Sequence, residues 1–175
     1  MRRMKSYKNL IERYPYLFST NEMQPIVLFG IECNIGWYHI IESVCISLSS
    51  RYRSTLSSVK YFEKIIKNKQ FNEYLTEEKA IEYLNKYTQV LKEQEAGLPK
   101  FEQIKEKFGT LRIYTDKGDD YTSGVIDMAE SLAMITCEVC GSHGKTYTKG
   151  WHQTLCPEHA KEKYGENSVD LSSDS

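Results

Sequence analysis

Apolar residues recur at helical spacing most clearly after Gly36. Trp37, Ile40, Ile41, Val44, Cys45 and Leu48 fall at i, i+3, i+4, i+7, i+8 and i+11. They form one stripe on a helical period, which predicts a helix at the centre of the core. Val59, Phe62, Ile65 and Ile66 give a weaker stripe over 58–68. Tyr7, Leu10, Ile11 and Tyr14 mark a short helix over 5–14, from which Pro15 bends the chain away. A further helix is expected over 76–94, with Thr76 as N-cap, Glu77 and Glu78 in its first turn, and Gly97 and Pro99 to stop it. Val125, Met128, Ala129, Leu132 and Ala133 predict another, capped by Ser123, that delivers the chain to Cys137.

Strand period appears in fewer places. Leu111 and Ile113 alternate with Arg112 and Tyr114, and Phe108-Gly109 interrupts the run from Phe101 to Thr115, so a bulge or hairpin turn is expected there. Pro25–Phe29 reads as a short strand or extended run, and Lys117–Tyr121 as a polar turn. The pattern predicts an α+β fold with helices packed on a small antiparallel sheet. The expected organisation is an α+β domain over 1–136, a finger over 137–165 packed on it, and a flexible acidic tail over 166–175.

Composition changes this picture little. A chain of 175 residues fits one domain with a small appendage. A net charge of −1 offers no global argument for nucleic acid. The cations are local: Arg2, Arg3, Lys5, Lys8 and Arg13 near the start, then Arg51, Arg53, Lys60, Lys64, Lys67 and Lys69. The second group has apolar residues at helical spacing and reads as a solvated helix face. Thirteen tyrosines suit half-buried surfaces and interfaces. No apolar run reaches the ~18 residues that a membrane span requires. The N-terminal charges lack a following apolar segment, so a cytoplasmic location is expected.

Cysteine spacing carries the strongest chemistry. Cys137-x-x-Cys140 is followed, with fifteen residues between, by Cys156-x-x-His159. Paired thiolates from one turn, with a Cys/His pair on one helix face, suit tetrahedral zinc. Pro157 fits the first position of that helix, and Gly165 would close it. A knuckle, a hairpin through 145–155 and two ligands at a helix start is the layout of a treble-clef finger. His143 and His152 are rival ligands, without the two-plus-two spacing. Three cysteines and a filled coordination shell favour one structural Zn2+ over a catalytic one. Cys33 and Cys45 remain as reduced thiols.

Two other segments could form a ligand site. Lys105, Lys107 and Arg112 surround the Phe108-Gly109 kink, and such cations could hold phosphates, or lie on a solvated strand face. Glu32 and Trp37 flank the loop before the central helix. They could grip a ligand, although the bulk of Trp37 suits the core. No nucleophile triad, phosphate loop or deaminase signature is visible.

Glu32-Cys33-x-x-Gly36-Trp37, Gln103–Tyr114, Ala129-Glu130, Cys137-Glu138-x-Cys140-Gly141 and Gly150-Trp151-x-x-Thr154-Leu155-Cys156-x-x-His159 occur in this order. This resembles a family of small uncharacterised phage and prophage proteins with a C-terminal zinc finger and a KEKFGxLR segment. The match covers about 30–40 and 101–160. The resemblance implies a phage accessory protein in a bacterial cytoplasm, and it places a ligand at His159. The function expected is non-enzymatic binding of a host protein or a phosphorylated small molecule, with a counter-defence role. A nucleic-acid-binding regulator is the alternative, as is a hydrolase of a nucleotide signal using Glu32, Glu106 and His39.

Overall fold

A computed structural model describes residues 6–148 and 150–165. The basic residues Arg2, Arg3 and Lys5 and the acidic tail over 166–175 lie outside the described residues. Two compact units divide the chain: Leu48–Leu98 forms one, and the segments before and after it form the other.

The larger unit begins with α1 (Tyr7–Arg13), a turn of 3-10 helix at Pro15–Leu17, and α2 (Pro25–Phe29). The segment expected to be extended at Pro25–Phe29 is therefore helical. Pro25 holds the first helical position, where its fixed φ is already suitable, and only Ile26 is buried. Strand β1 (Ile31–Glu32) leads through a second 3-10 turn, Ile35–Trp37, into α3 (Tyr38–Lys67).

The stripes expected as two helices lie on this one 30-residue helix, which continues into the second unit. No glycine or proline falls between Trp37 and Lys67 to interrupt it. Its serines stay helical by bonding backwards: Ser43, Ser57 and Ser58 hydroxyls donate to the carbonyls of His39, Arg53 and Ser54.

β2 (Phe101–Lys107) and β3 (Thr110–Thr115) form a hairpin. The sheet order is β1-β2-β3, with β1 parallel to β2 and β2 antiparallel to β3. The sheet is thus mixed, where an antiparallel one was expected. The long connection carrying α3 makes the parallel pairing of β1 and β2 possible. Trp37, Ile41, Val44, Phe101, Ile104, Leu111 and Ile113 are among the buried core residues of this unit.

Helix α5 (Asp120–Ala133) follows β3 and packs along it. It starts ahead of Ser123, because Asp119 caps it: the Asp119 carboxylate accepts the Thr122 N–H at 2.8 Å. The finger comprises a knuckle at Cys137–Gly141, a hairpin of β4 (Lys145–Tyr147) and β5 (Gln153–Leu155), and α6 (Pro157–Tyr164). Its own small core gathers Cys137, Tyr147, Leu155, Cys156 and Ala160, with Tyr164 against it. The finger belongs to the same compact unit as the sheet.

The second unit contains the latter part of α3 and α4 (Glu77–Gly97). Thr76 caps α4 as expected, its hydroxyl accepting the Lys79 N–H. Phe62 packs on Tyr83 and Tyr87 at centroid distances of 5.4 and 5.8 Å. The cations from Arg51 to Lys69 are solvent-exposed. No described helix is long and apolar enough to cross a membrane.

Candidate metal centre and the surface around it

The four predicted ligands converge. Cys137 Sγ, Cys140 Sγ, Cys156 Sγ and a His159 ring nitrogen all lie within 4.8 Å of one another. Local structure explains the convergence. The knuckle closes through Gly141 N–H to Cys137 O and Cys137 N–H to Ser142 O, both 2.8 Å. Cys156 is the N-cap of α6 with Pro157 after it, so His159 lies one turn along the same face.

The geometry suits a four-coordinate ion. Metal–sulfur bonds of about 2.3 Å and a metal–nitrogen bond of about 2.0 Å imply tetrahedral edges of about 3.8 Å for S–S and about 3.5 Å for S–N. Cys140 Sγ to Cys156 Sγ is 3.8 Å, and Cys137 Sγ to His159 Nδ1 is 3.6 Å. Cys156 Sγ to His159 Nδ1 is shorter, at 3.0 Å. The rival histidines stand elsewhere: His143 bridges Thr136 in an isolated β-bridge, and the His152 ring meets Phe108 at 6.1 Å. The thiols are unequal without metal. A hydrogen bond with the Ser142 side chain lowers Cys140 to about 6, whereas burial raises Cys156. Burial also pushes Cys33 and Cys45 up to about 12.

The knuckle is fitted to the loop before α3. Gly36 donates its N–H to Glu138 O at 2.8 Å, Asn34 donates its amide to Glu138 Oε1 at 2.6 Å, and the Trp37 indole N–H donates to Thr136 O at 2.8 Å. Glu138 is 2 % exposed, Gln153 also donates to its Oε1, and burial raises its pKa. Its Oε2 is buried without a hydrogen-bond partner among the described residues. Trp37 is fully buried, so its ring belongs to the core and its indole to the knuckle. Tyr7 reaches the same loop, donating to Asn34 O at 2.7 Å and approaching Cys33 Sγ at 3.3 Å.

The predicted ligand-binding charges form a row across the sheet. Glu32 pairs in register with Lys105, and Lys105 with Arg112, so the three share one face. Arg112 continues the row into α5, bonding Glu130 Oε2 at 2.6 Å, and Glu130 Oε1 accepts the Ile113 N–H at 3.1 Å. That carboxylate thereby occupies part of the open edge of β3. Lys105 Nζ lies 5.4 Å from the Tyr114 ring centroid, and Lys107 Nζ 5.6 Å from that of Phe108.

The three acid/base candidates are not assembled. Glu32 shares a face with Lys105, and strand alternation puts Glu106 on the other. Glu106 Oε1 accepts the Gly109 N–H at 2.6 Å, which holds the turn. His39 pairs with Glu42 on α3, at 3.5 Å.

The hairpin turn is braced by the finger. Phe108 and Gly109 both have positive φ, 54° and 79°, as a two-residue turn of the primed type requires. Thr154 Oγ1 donates to Gly109 O at 2.6 Å, and a Cβ on Gly109 would stand 2.9 Å from Thr146 Cγ2. The Phe108 ring is left 70 % exposed and Trp151 71 % exposed. Sequence reasoning located the kink but missed these exposed aromatic residues. An aromatic residue at a turn position that favours Asn or Gly was the available signal.

No family model, curated protein or solved structure matches the chain. The resemblance noted above thus rests on its quoted motifs.

Proposed function

We propose a non-enzymatic binding protein whose contact surface is the Phe108 turn with Trp151 and His152, braced by a structural zinc ion. Zinc suits three thiolates and an imidazole at tetrahedral spacing, and four protein ligands leave no position for a reacting water. The knuckle, hairpin and ligand-bearing helix make the finger treble-clef-like. The ion would fix the ends of β4–β5 and so the platform beneath Gly109.

Phe108 carries the proposal. A bulky aromatic in the left-handed region costs about 1–3 kcal/mol and persists where surroundings enforce it. Phe108 is solvent-exposed, so core packing gives no return for that strain. Exposed aromatics beside a lysine match the anchors that protein interfaces favour. Phosphate capture is the weaker fit, because Glu32 and Glu130 oppose the charges of Lys105 and Arg112. The resemblance to phage proteins supports a bacterial host protein as the partner and counter-defence as the role.

The test is affinity purification from expressing bacteria with crosslinking, comparing wild type with Phe108→Asn and Trp151→Ala. A protein enriched by wild type and lost from both variants is expected. Identical partners for all three would refute the proposed surface.

A further inference from the structure

Residues of α3 and α5 form a concave site. It is a cleft of about 620 Å³ lined by residues of α3 up to Ser47 and of α5. Ile40, Val44, Val125, Met128 and Leu132 supply apolar lining, and that volume falls within the range of small-molecule sites.

Gly124 shows that the space is kept open. It lies inside α5, where glycine costs about 1 kcal/mol relative to alanine. Close packing does not account for it, since a Cβ there would meet nothing within 4 Å. Met128 and Leu132, 62 % and 43 % exposed, remain uncovered along the same helix.

Charge selects the occupant. Asp120 brings a carboxylate to the lining at the first turn of α5, whereas Glu42, beside His39 and outside the lining, is already paired with Arg13. Tyr121 and Ser47 add polar atoms near the Asp120 end, joined by Tyr121 Oη donating to Ser47 O at 3.3 Å. An apolar body with a cationic head satisfies both features, whereas a fatty carboxylate would meet like charge.

We infer that the α3–α5 cleft binds a small amphipathic amine, its apolar body over Gly124 and its ammonium at Asp120. The paired probes are 4-phenylbutylamine and 4-phenylbutanoate, titrated into the whole protein and followed by amide NMR shifts. Saturable amine binding at α3 and α5 residues is expected, with the carboxylate about tenfold weaker. Asp120→Asn should weaken the amine about three- to fivefold, the effect of a partly exposed ion pair. Gly124→Leu should fill the cleft and abolish binding. Met128→Lys, at an exposed position, should do so by repulsion without touching the fold. Absence of saturable amine binding overturns the inference. So does equal binding of the two probes, or wild-type affinity in a folded Gly124→Leu or Met128→Lys protein.

Discussion

Gly36 and Glu138 are joined backbone to backbone, with the Gly36 N–H 2.8 Å from the Glu138 carbonyl oxygen. The approach leaves no room for a side chain. A Cβ on Gly36 would lie 2.3 Å from Cys137 O and 2.5 Å from Glu138 O, both backbone atoms. The start of α3 and the metal knuckle are therefore one structural joint. Gly36→Ala should destabilise the protein by about 2–3 kcal/mol, as overpacking a tight site does. It should also weaken metal affinity. Urea denaturation and competition with a chromophoric chelator measure the two effects. Unchanged values in both would break the link between loop and knuckle.

Glu138 should prove structural. Glu138→Ala leaves the Asn34 and Gln153 amides without their shared acceptor. An unsatisfied buried polar group costs about 1–3 kcal/mol, and a loss in that range is expected by thermal and urea unfolding. A neutral outcome would mean that water replaces the carboxylate without cost.

Phe108→Asn should raise stability while removing binding. Asparagine is favoured at a primed-turn position with positive φ, and relief of strain there is worth about 1 kcal/mol or more. The gain should appear as a higher unfolding midpoint with an unchanged denaturant slope. A loss of stability would show that the Phe108 ring is held by packing.

How much of this was legible in sequence follows from locality. The convergence of Cys137, Cys140, Cys156 and His159 could be read because their spacing alone fixes two turns, Cys137–Cys140 and Cys156–His159. The Trp37–Leu48 stripe predicted a helix, but its continuation to Lys67 runs through the serine-rich segment 49–58. Pro25–Phe29 misled because five apolar residues show no period, and the proline at N1 was the informative signal. Lys105 and Arg112, expected to lie together at the kink, are register partners. The placement of Glu32 beside Lys105 and the pairing of Arg112 with Glu130 required the parallel β1 pairing and the α5 contact, both set by distant parts of the chain.

Acidification should release the metal. Cys140 has its folded value lowered from 9.0 to about 6, so its thiolate favours the folded form fully above about 9. That contribution is lost as pH falls through about 6. Metal ligands must also be deprotonated, and a bound cation favours the thiolate further, so in the loaded protein retention and fold should decline together at a pH below the metal-free value. A chromophoric chelator and circular dichroism, followed along one acid titration, record both. Full retention with an unchanged spectrum at about pH 3, where free thiol and imidazole ligands are protonated, would contradict the expected linkage.

The most direct test is metal content measured with unfolding on the same samples, for wild type and Cys156→Ser. Wild type should carry about one zinc per chain, as a single four-ligand site requires. It should lose stability when a chelator removes that ion, and Cys156→Ser should match the chelated protein. A wild type without stoichiometric metal, or a Cys156→Ser protein that keeps full zinc and full stability, would contradict the zinc-braced finger.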